Sequence, residues 1–125
     1  MTQTPRARVV VVNALALSMF PRAQFTLRVT RIQPGAVANA VANAVERLKA
    51  LGFQDVEYVH YIRHPATLET IRRHLPGLPQ VPNAGLYIYK PGDVIVVVAL
   101  KAPQRGQEVQ EVREEDLDIA LVEVL

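Results

Sequence analysis

The apolar positions of this chain change spacing from segment to segment, and each spacing predicts an element. Four consecutive valines, Val9 to Val12, form an unbroken apolar run within Arg8–Asn13. β-branched side chains pack well on a pleated surface, so the run predicts a strand buried on both faces. From Phe25 to Ile32, "FTLRVTRI" alternates apolar and polar residues, the period of a half-buried strand. "QPG" stops it, and "AVANAVANAVERLKALG" follows. There Val37, Val41, Val45, Leu48 and Leu51 recur at three and four, the stripe of an amphipathic helix, closed by Gly52. The near-repeat of period four within it is explained by that helix face.

"VEYVHYI", Val56 to Ile62, predicts another strand. Pro65 suits the first position of a helix, where its missing N–H has no partner to lose, so His64 becomes the N-cap of a helix reaching about Leu75. After the Pro-rich "PGLPQVPN", the segments "AGLYIYK" and "DVIVVVALK" flank "PGD" and predict a hairpin. The tail offers one helical turn in "REEDL" and a last strand in "IALVEVL". The sum is a single α/β (α+β) domain over residues 1–125, with a mixed sheet of five or six strands and two main helices.

Charge changes the picture next. Residues 1–105 carry 13 Lys and Arg against 5 acids, and residues 106–125 carry one Arg against 7 acids. The +8 body suggests an anionic partner such as phosphate, unless the −6 tail folds back and neutralises it. The chain has no cysteine, which excludes disulfides and thiolate metal sites. Arg6 and Arg8 before an apolar run imitate a secretory signal, but Asn13 interrupts the run and "SMFPRAQ" lacks a small-residue cleavage site. The run is too short to span a membrane, so a cytoplasmic location without membrane association is expected.

Of three histidines, His60 sits inside a strand and His74 near a helix end, where a cation suits the dipole. No His, Asp and Glu grouping has metal-ligand spacing, and no cofactor motif occurs. His64 differs. Unbonded N–H groups at Ala66, Thr67 and Leu68, the hydroxyl of Thr67 and the cation of Arg63 would hold a phosphate at the start of the helix. An imidazole there could pass a proton to or from an ester oxygen. RNA brings its own nucleophile, the 2′-OH, so such a site needs no metal. The bland alternative is a polar residue at a strand–helix corner.

Three segments, in order, then carry a resemblance. "VVVVNALALSMF", "RHPATLETI" and "VPNAGLYIYKPGDVIVVVALKAPQRGQEV" are similar to the viral ring nucleases that act as anti-CRISPR proteins against type III systems, a family first catalogued as a domain of unknown function in archaeal viruses. The resemblance implies a homodimer that holds cyclic oligoadenylate, most simply cyclic tetra-adenylate, between its subunits. It implies metal-independent cutting to linear di-adenylates ending in a cyclic phosphate, which silences the signal. The catalytic histidine falls on His64. The resemblance sets ligand contacts on the turn after the first strand (Asn13, Ala14, Leu15 and Ser18) and on Pro65, Ala66 and Thr67. Arg63, Lys101 and Arg105 could contact phosphate as cations of the basic body, the last two equally reading as a solvated loop. This chain departs from the family's pattern at Arg63, where the family has glycine, at Asn83 for an arginine, and at Arg105 for a glutamate. Long nucleic acid is not an expected partner. Two other readings stand beside this one: a protein that binds the ring without cutting it, and a small basic nucleic-acid binder. The second lacks the interleaved aromatics of single-strand binders, with 3 Phe, 4 Tyr and no Trp.

Overall fold

The structure, a computed structural model, describes residues 6–101 and 112–125. Five strands and two helices follow in the order β1 (Ala7–Val12), β2 (Leu27–Ile32), α1 (Val37–Ala50), β3 (Val56–His60), α2 (Pro65–His74), β4 (Asp93–Leu100) and β5 (Leu117–Val124). They form one sheet in the order β2-β5-β4-β1-β3. β1 runs parallel to both its neighbours, with Val11 opposite His60 of β3 and opposite Val96 of β4. β5 is antiparallel to both β4 and β2. The valine run thus occupies the parallel centre that its unbroken apolarity predicts: Val9, Val10 and Val11 are fully buried.

Both helices cover one face. Val37, Val41, Ala44 and Val45 of α1, with Ile71 and Leu75 of the second helical segment, pack on Val9, Val11, Val94, Val96, Val98, Ile119 and Leu121. Leu51, counted in the α1 stripe, is instead exposed at the helix C-cap. There the chain turns through Gly52 at φ +107°, with Gly52 N–H donating to Lys49 O and Phe53 N–H to Leu48 O. That pair of bonds satisfies the last carbonyls and ends the helix.

Among the described residues the other face carries no α-helix, only the short 3-10 turn Leu17–Met19. Val10, Val12, Val59, Ile95 and Val122 are roofed by Phe20 and Tyr87, with Phe25, Tyr61 and Tyr89 partly buried beside them. Phe20 and Phe25 stack at 4.5 Å between ring centroids, and Tyr61 and Tyr87 lie tilted at 5.7 Å. Phe20 and Phe25 lie on the connection from β1 to β2, Tyr61 on the one from β3 to α2, and Tyr87 and Tyr89 on the one from α2 to β4. Tyr89 N–H ties the first and the last of these connections together by donating to Met19 O.

One of those connections corrects an expectation. "AGLYIYK" is not a strand, so the hairpin does not form and the sheet has five strands. Both edges of β4 are already taken, by β1 and by β5, so no ladder position remains for it. The segment folds across the sheet face and is anchored by Asp93. Arg8 grips the Asp93 carboxylate with Nε and Nη2, each at 2.6 Å. The Tyr87 hydroxyl donates to Oδ2 at 2.5 Å, and Lys90 N–H to the same oxygen at 3.0 Å. Burial, then the bond to Asp93, push the Tyr87 phenol far above its ordinary value, so it stays a donor. The tight turn "PGD" itself is present. Gly92 has φ +97°, and a Cβ there would meet Phe53 at 2.5 Å and Arg6 O at 2.8 Å.

The acidic tail does fold back. β5 lies between β2 and β4, where Glu123 pairs with Arg28 at 3.7 Å and Arg47 at 3.2 Å, and Asp118 with Arg31 at 3.8 Å. These are exposed contacts of small energy, about 1 kcal/mol or less each. They still offset a share of the basic charge of the body.

The Asp93 side chain is 1% exposed, so its partners decide whether burial costs or stabilises. Replacing Arg8 by Met strands a buried carboxylate and is expected to cost about 3–5 kcal/mol. Tyr87→Phe removes one of several donors and is expected to cost about 1 kcal/mol. Urea unfolding of both variants checks the order. Equal losses would mean that the carboxylate does not depend on its guanidinium.

Candidate functional site

Three parallel strands release the chain at the same edge of the sheet, their carboxyl ends. In sheets of this kind, ligands bind in the crevice outside those ends. β1 delivers Asn13, β3 delivers His64 four residues after its end, and β4 delivers Lys101. Asn13, Ala14, Leu15 and Ser18 are all exposed on the turn that leaves β1. Tyr61 N–H donates to Val11 O at 2.9 Å, so β1 and the chain leading to His64 stay paired almost to this turn. Lys101 lies on the far side of β1 and further out, since β4 runs three residues past the Val97 that faces Val12. At ~3.3 Å per residue this offset is on the order of 10 Å. Lys101 N–H is held by Asp116 O at 2.9 Å. Arg105 lies outside the described residues.

His64 is the N-cap of α2, with Pro65 at the first helical position, as its sequence predicts. The backbone of His64 is extended at φ −80° and ψ 113°, as an N-cap requires. Nδ1 accepts from Thr67 N–H at 3.3 Å and lies 2.8 Å from Thr67 Oγ1. Nε2 makes no hydrogen bond to any described residue, and the ring is half-buried. Arg63 and Pro65 beside it are exposed, and Arg63 enters no ion pair among the described residues.

The anion cradle is smaller than expected. Thr67 N–H is spent on Nδ1 and Leu68 N–H on His64 O at 3.0 Å. Of the three N–H groups expected to be unbonded, Ala66 N–H alone has no partner among the described residues. Thr67 is only 4% exposed and its hydroxyl faces the imidazole, not solvent. The first turn is further fixed by Thr70, whose hydroxyl bridges Ala66 O at 2.9 Å and Val112 O at 3.0 Å.

Two residues beside this edge carry no role in the sequence reading of the site. Tyr61 sits on the helix-free face, opposite in direction to His60, and its hydroxyl accepts from Asn83 Nδ2 at 3.4 Å. Asn83 N–H donates to His60 O at 2.8 Å, which brings this departure from the family's pattern to the end of β3. The alternation in "VEYVHYI" contained the signal: it sets Tyr61 and His60 on opposite faces.

The remaining histidines are structural. His60 is fully buried, donates from Nε2 to Pro79 O at 2.8 Å and accepts Ile62 N–H on Nδ1 at 3.2 Å. Burial holds its pKa below the ordinary value. His74 Nε2 meets Glu114 Oε1 at 2.6 Å near the end of α2. Among the described residues no group of three or more metal-ligating side chains comes together, and no helix is long and apolar enough to cross a membrane.

No protein-family model matches the chain, and no curated protein matches it. Among solved structures it is similar to B116 of Sulfolobus turreted icosahedral virus, with a TM-score of 0.60 over 93% of this chain and 98% of that one, at 13% identity. At that identity the likeness establishes the fold: one five-stranded mixed sheet with two helices.

The buried neutral state of His60 makes stability depend on pH. Its pKa is lowered on folding from about 6.5, so the unfolded chain takes up the proton first as pH falls. Stability is therefore complete above that value and drops as pH falls through it toward the lowered folded value. Thermal melts from pH 8 to pH 5 are expected to show this drop, and His60→Gln, which keeps a donor toward Pro79 O, is expected to flatten it while lowering stability by about 1 kcal/mol at pH 8. An unchanged slope in the variant would assign the drop to other groups.

Proposed function

We propose that the protein is a metal-independent ring nuclease for cyclic oligoadenylate, acting as a homodimer. The observation that carries this reading is His64: a capped imidazole whose Nε2 is unbonded among the described residues, at the edge where three parallel strands end and from which the exposed turn Asn13–Ser18 also leaves. Arg63, the Ala66 N–H and the dipole of α2 supply positive potential for a phosphate next to that ring. The ordered resemblance through "NALALSM", "RHPAT" and the "KPGD" turn supports the same reading, and so does a neighbour of this fold that comes from a virus.

In the reaction, a 2′-OH of the bound ring attacks the adjacent phosphorus. The 2′-O–P bond forms as the 2′-OH proton passes to water, the P–O5′ bond breaks, and the departing oxygen takes a proton from His64, which solvent then reprotonates. The products are a 2′,3′-cyclic phosphate and a 5′-hydroxyl. Two copies of the chain put one histidine at each of two opposite phosphates, giving two di-adenylates.

Dimer formation has its own support in the helix-free side. Leu17 and Leu86 are 82% and 86% exposed, and Ile88 is 45% exposed, on the two connections that Tyr89 and Met19 tie together. Fully burying a leucine contributes about 1.5–3 kcal/mol, so covering these three offsets much of the entropy lost in association. The nucleic-acid reading is weakened by the ion pairs that β5 makes with Arg28, Arg31 and Arg47.

Radiolabelled cyclic tetra- and hexa-adenylate, incubated with the protein in EDTA, test the proposal. Cleavage that persists in EDTA and falls by 10²-fold or more in His64→Ala is expected, the scale of general acid catalysis. Binding without product would make the protein a sequestering module. Absence of binding to either ring, with salt-sensitive binding to long nucleic acid, would overturn the proposal. Light scattering of the free protein is expected to give twice the chain mass, and Leu17→Lys with Leu86→Lys to give the monomer.

A further inference from the structure

Thr67 presents two polar groups to one nitrogen. Its N–H lies 3.3 Å and its hydroxyl oxygen 2.8 Å from His64 Nδ1, and the residue is 4% exposed. A backbone N–H can only donate, so Nδ1 of the neutral ring is the acceptor and the ring proton sits on Nε2. When the ring is cationic, Nδ1 carries a proton as well. The Thr67 hydroxyl can then accept it, because a hydroxyl serves either role. The outward nitrogen, Nε2, therefore bears a proton in both charge states.

We propose that Thr67 is a positioning residue that holds His64 with Nε2 as an outward donor, and that it does not contact the ligand. The inference rests on the ring-nuclease reading for its catalytic consequence, but its structural claim stands by itself. It gives the acid role proposed above for His64 a structural basis in the hold on Nδ1. The cationic ring gives its Nε2 proton to the departing 5′-oxygen as the P–O5′ bond breaks. It keeps the Nδ1 proton in a hydrogen bond to Thr67 Oγ1, and the proton of the attacking 2′-OH passes to water. A ring held the other way round, with Nε2 bare, would accept a proton from the nucleophile instead. The same geometry explains why a threonine three residues into the helix can be buried and still serve the reaction: it acts through the imidazole. The hold extends into the helix, since Thr70 ties the Ala66 carbonyl to Val112 O and fixes the turn that carries Thr67.

Two measurements decide it. Nitrogen-15 NMR of histidine-labelled protein, recorded over a pH series that follows the rings from cationic to neutral, reads the tautomer directly. His64→Ala identifies the His64 signals. The wild type and Thr67→Ser are expected to show His64 with its proton on Nε2. Thr67→Val keeps the N–H and removes the hydroxyl, so it is expected to keep the proton of the neutral ring on Nε2 and to shift the Nδ1 signal of the cationic ring, which has lost its acceptor. A neutral wild-type ring protonated on Nδ1, or a Thr67→Val ring unchanged from wild type in both charge states, overturns the proposal. In single-turnover cleavage of cyclic tetra-adenylate, Thr67→Val is expected to lower the rate roughly ten- to a hundredfold, the scale of a misplaced reacting group, with affinity held within about twofold and Thr67→Ser restoring most of the rate. Affinity lost in step with rate would make Thr67 a ligand contact and overturn the proposal. If the wild type neither binds nor cuts the ring, the nuclease reading fails and the NMR result still decides the claim about Thr67.

Discussion

β1 is hydrogen-bonded on both edges to strands that run in its own direction, and most of the molecule follows from that. A parallel pair cannot be closed by a tight turn, so the chain must cross over the sheet between β1, β3 and β4. Helices α1 and α2 lie on those crossovers and cover one face. A strand with neighbours on both edges and layers on both faces leaves nothing for polar side chains to do, hence Val9 to Val12. It also forces all three carboxyl ends to one edge, where the backbone breaks from the ladder and side chains are free to point at a ligand. The site is located by topology before any residue in it is chosen.

The same constraint explains which elements could be read from the chain. The valine run, the four-residue spacing of Val37, Val41 and Val45, and the Pro65 start of α2 are local signals, and each is found where expected. "AGLYIYK" carries an equally good local signal, apolar and polar in alternation, and is not a strand. Its fate is decided by β5, some thirty residues later, which takes the β4 edge that a hairpin would have used. The aromatic residues then do a different job, roofing the helix-free face, and Asp93 holds them there through Tyr87 and Arg8. Alternation reports that one face of a segment is apolar, not what that face will meet. Val29 shows the same limit. It sits in an alternating strand yet is 54% exposed, because β2 lies at the sheet edge, beyond the aromatic roof.

The site was legible to a similar degree. His64 as N-cap follows from Pro65, and the convergence of Asn13, His64 and Lys101 on one edge follows from strand order once β1 is central. What the chain could not reveal is where each N–H goes. The expected cradle treated Ala66, Thr67 and Leu68 as equivalent donors, but capping consumes two of them, one by the ring and one by the carbonyl of His64. Tyr61 was overlooked, and Asn83 was singled out only as a departure from the family's pattern, because their meeting depends on the irregular path between α2 and β4.

That bookkeeping bears on the choice of residue at the helix start. Serine, threonine, aspartate and asparagine are the usual N-caps, and each satisfies the same N–H that His64 satisfies here. An imidazole brings no additional bond to the helix end, since only Nδ1 reaches it. Its other nitrogen is left without a protein partner, on a ring held by Thr67 at the edge where three strands end. Helix stability alone would be met by a smaller side chain. The buried His60 in the same strand–helix unit makes the contrast: there both nitrogens are bonded, to Pro79 O and Ile62 N–H, and the ring is sealed from solvent. Two histidines four residues apart thus differ in one respect that matters for chemistry, whether a nitrogen is left over, and the reading of His64 as the working residue rests on that difference.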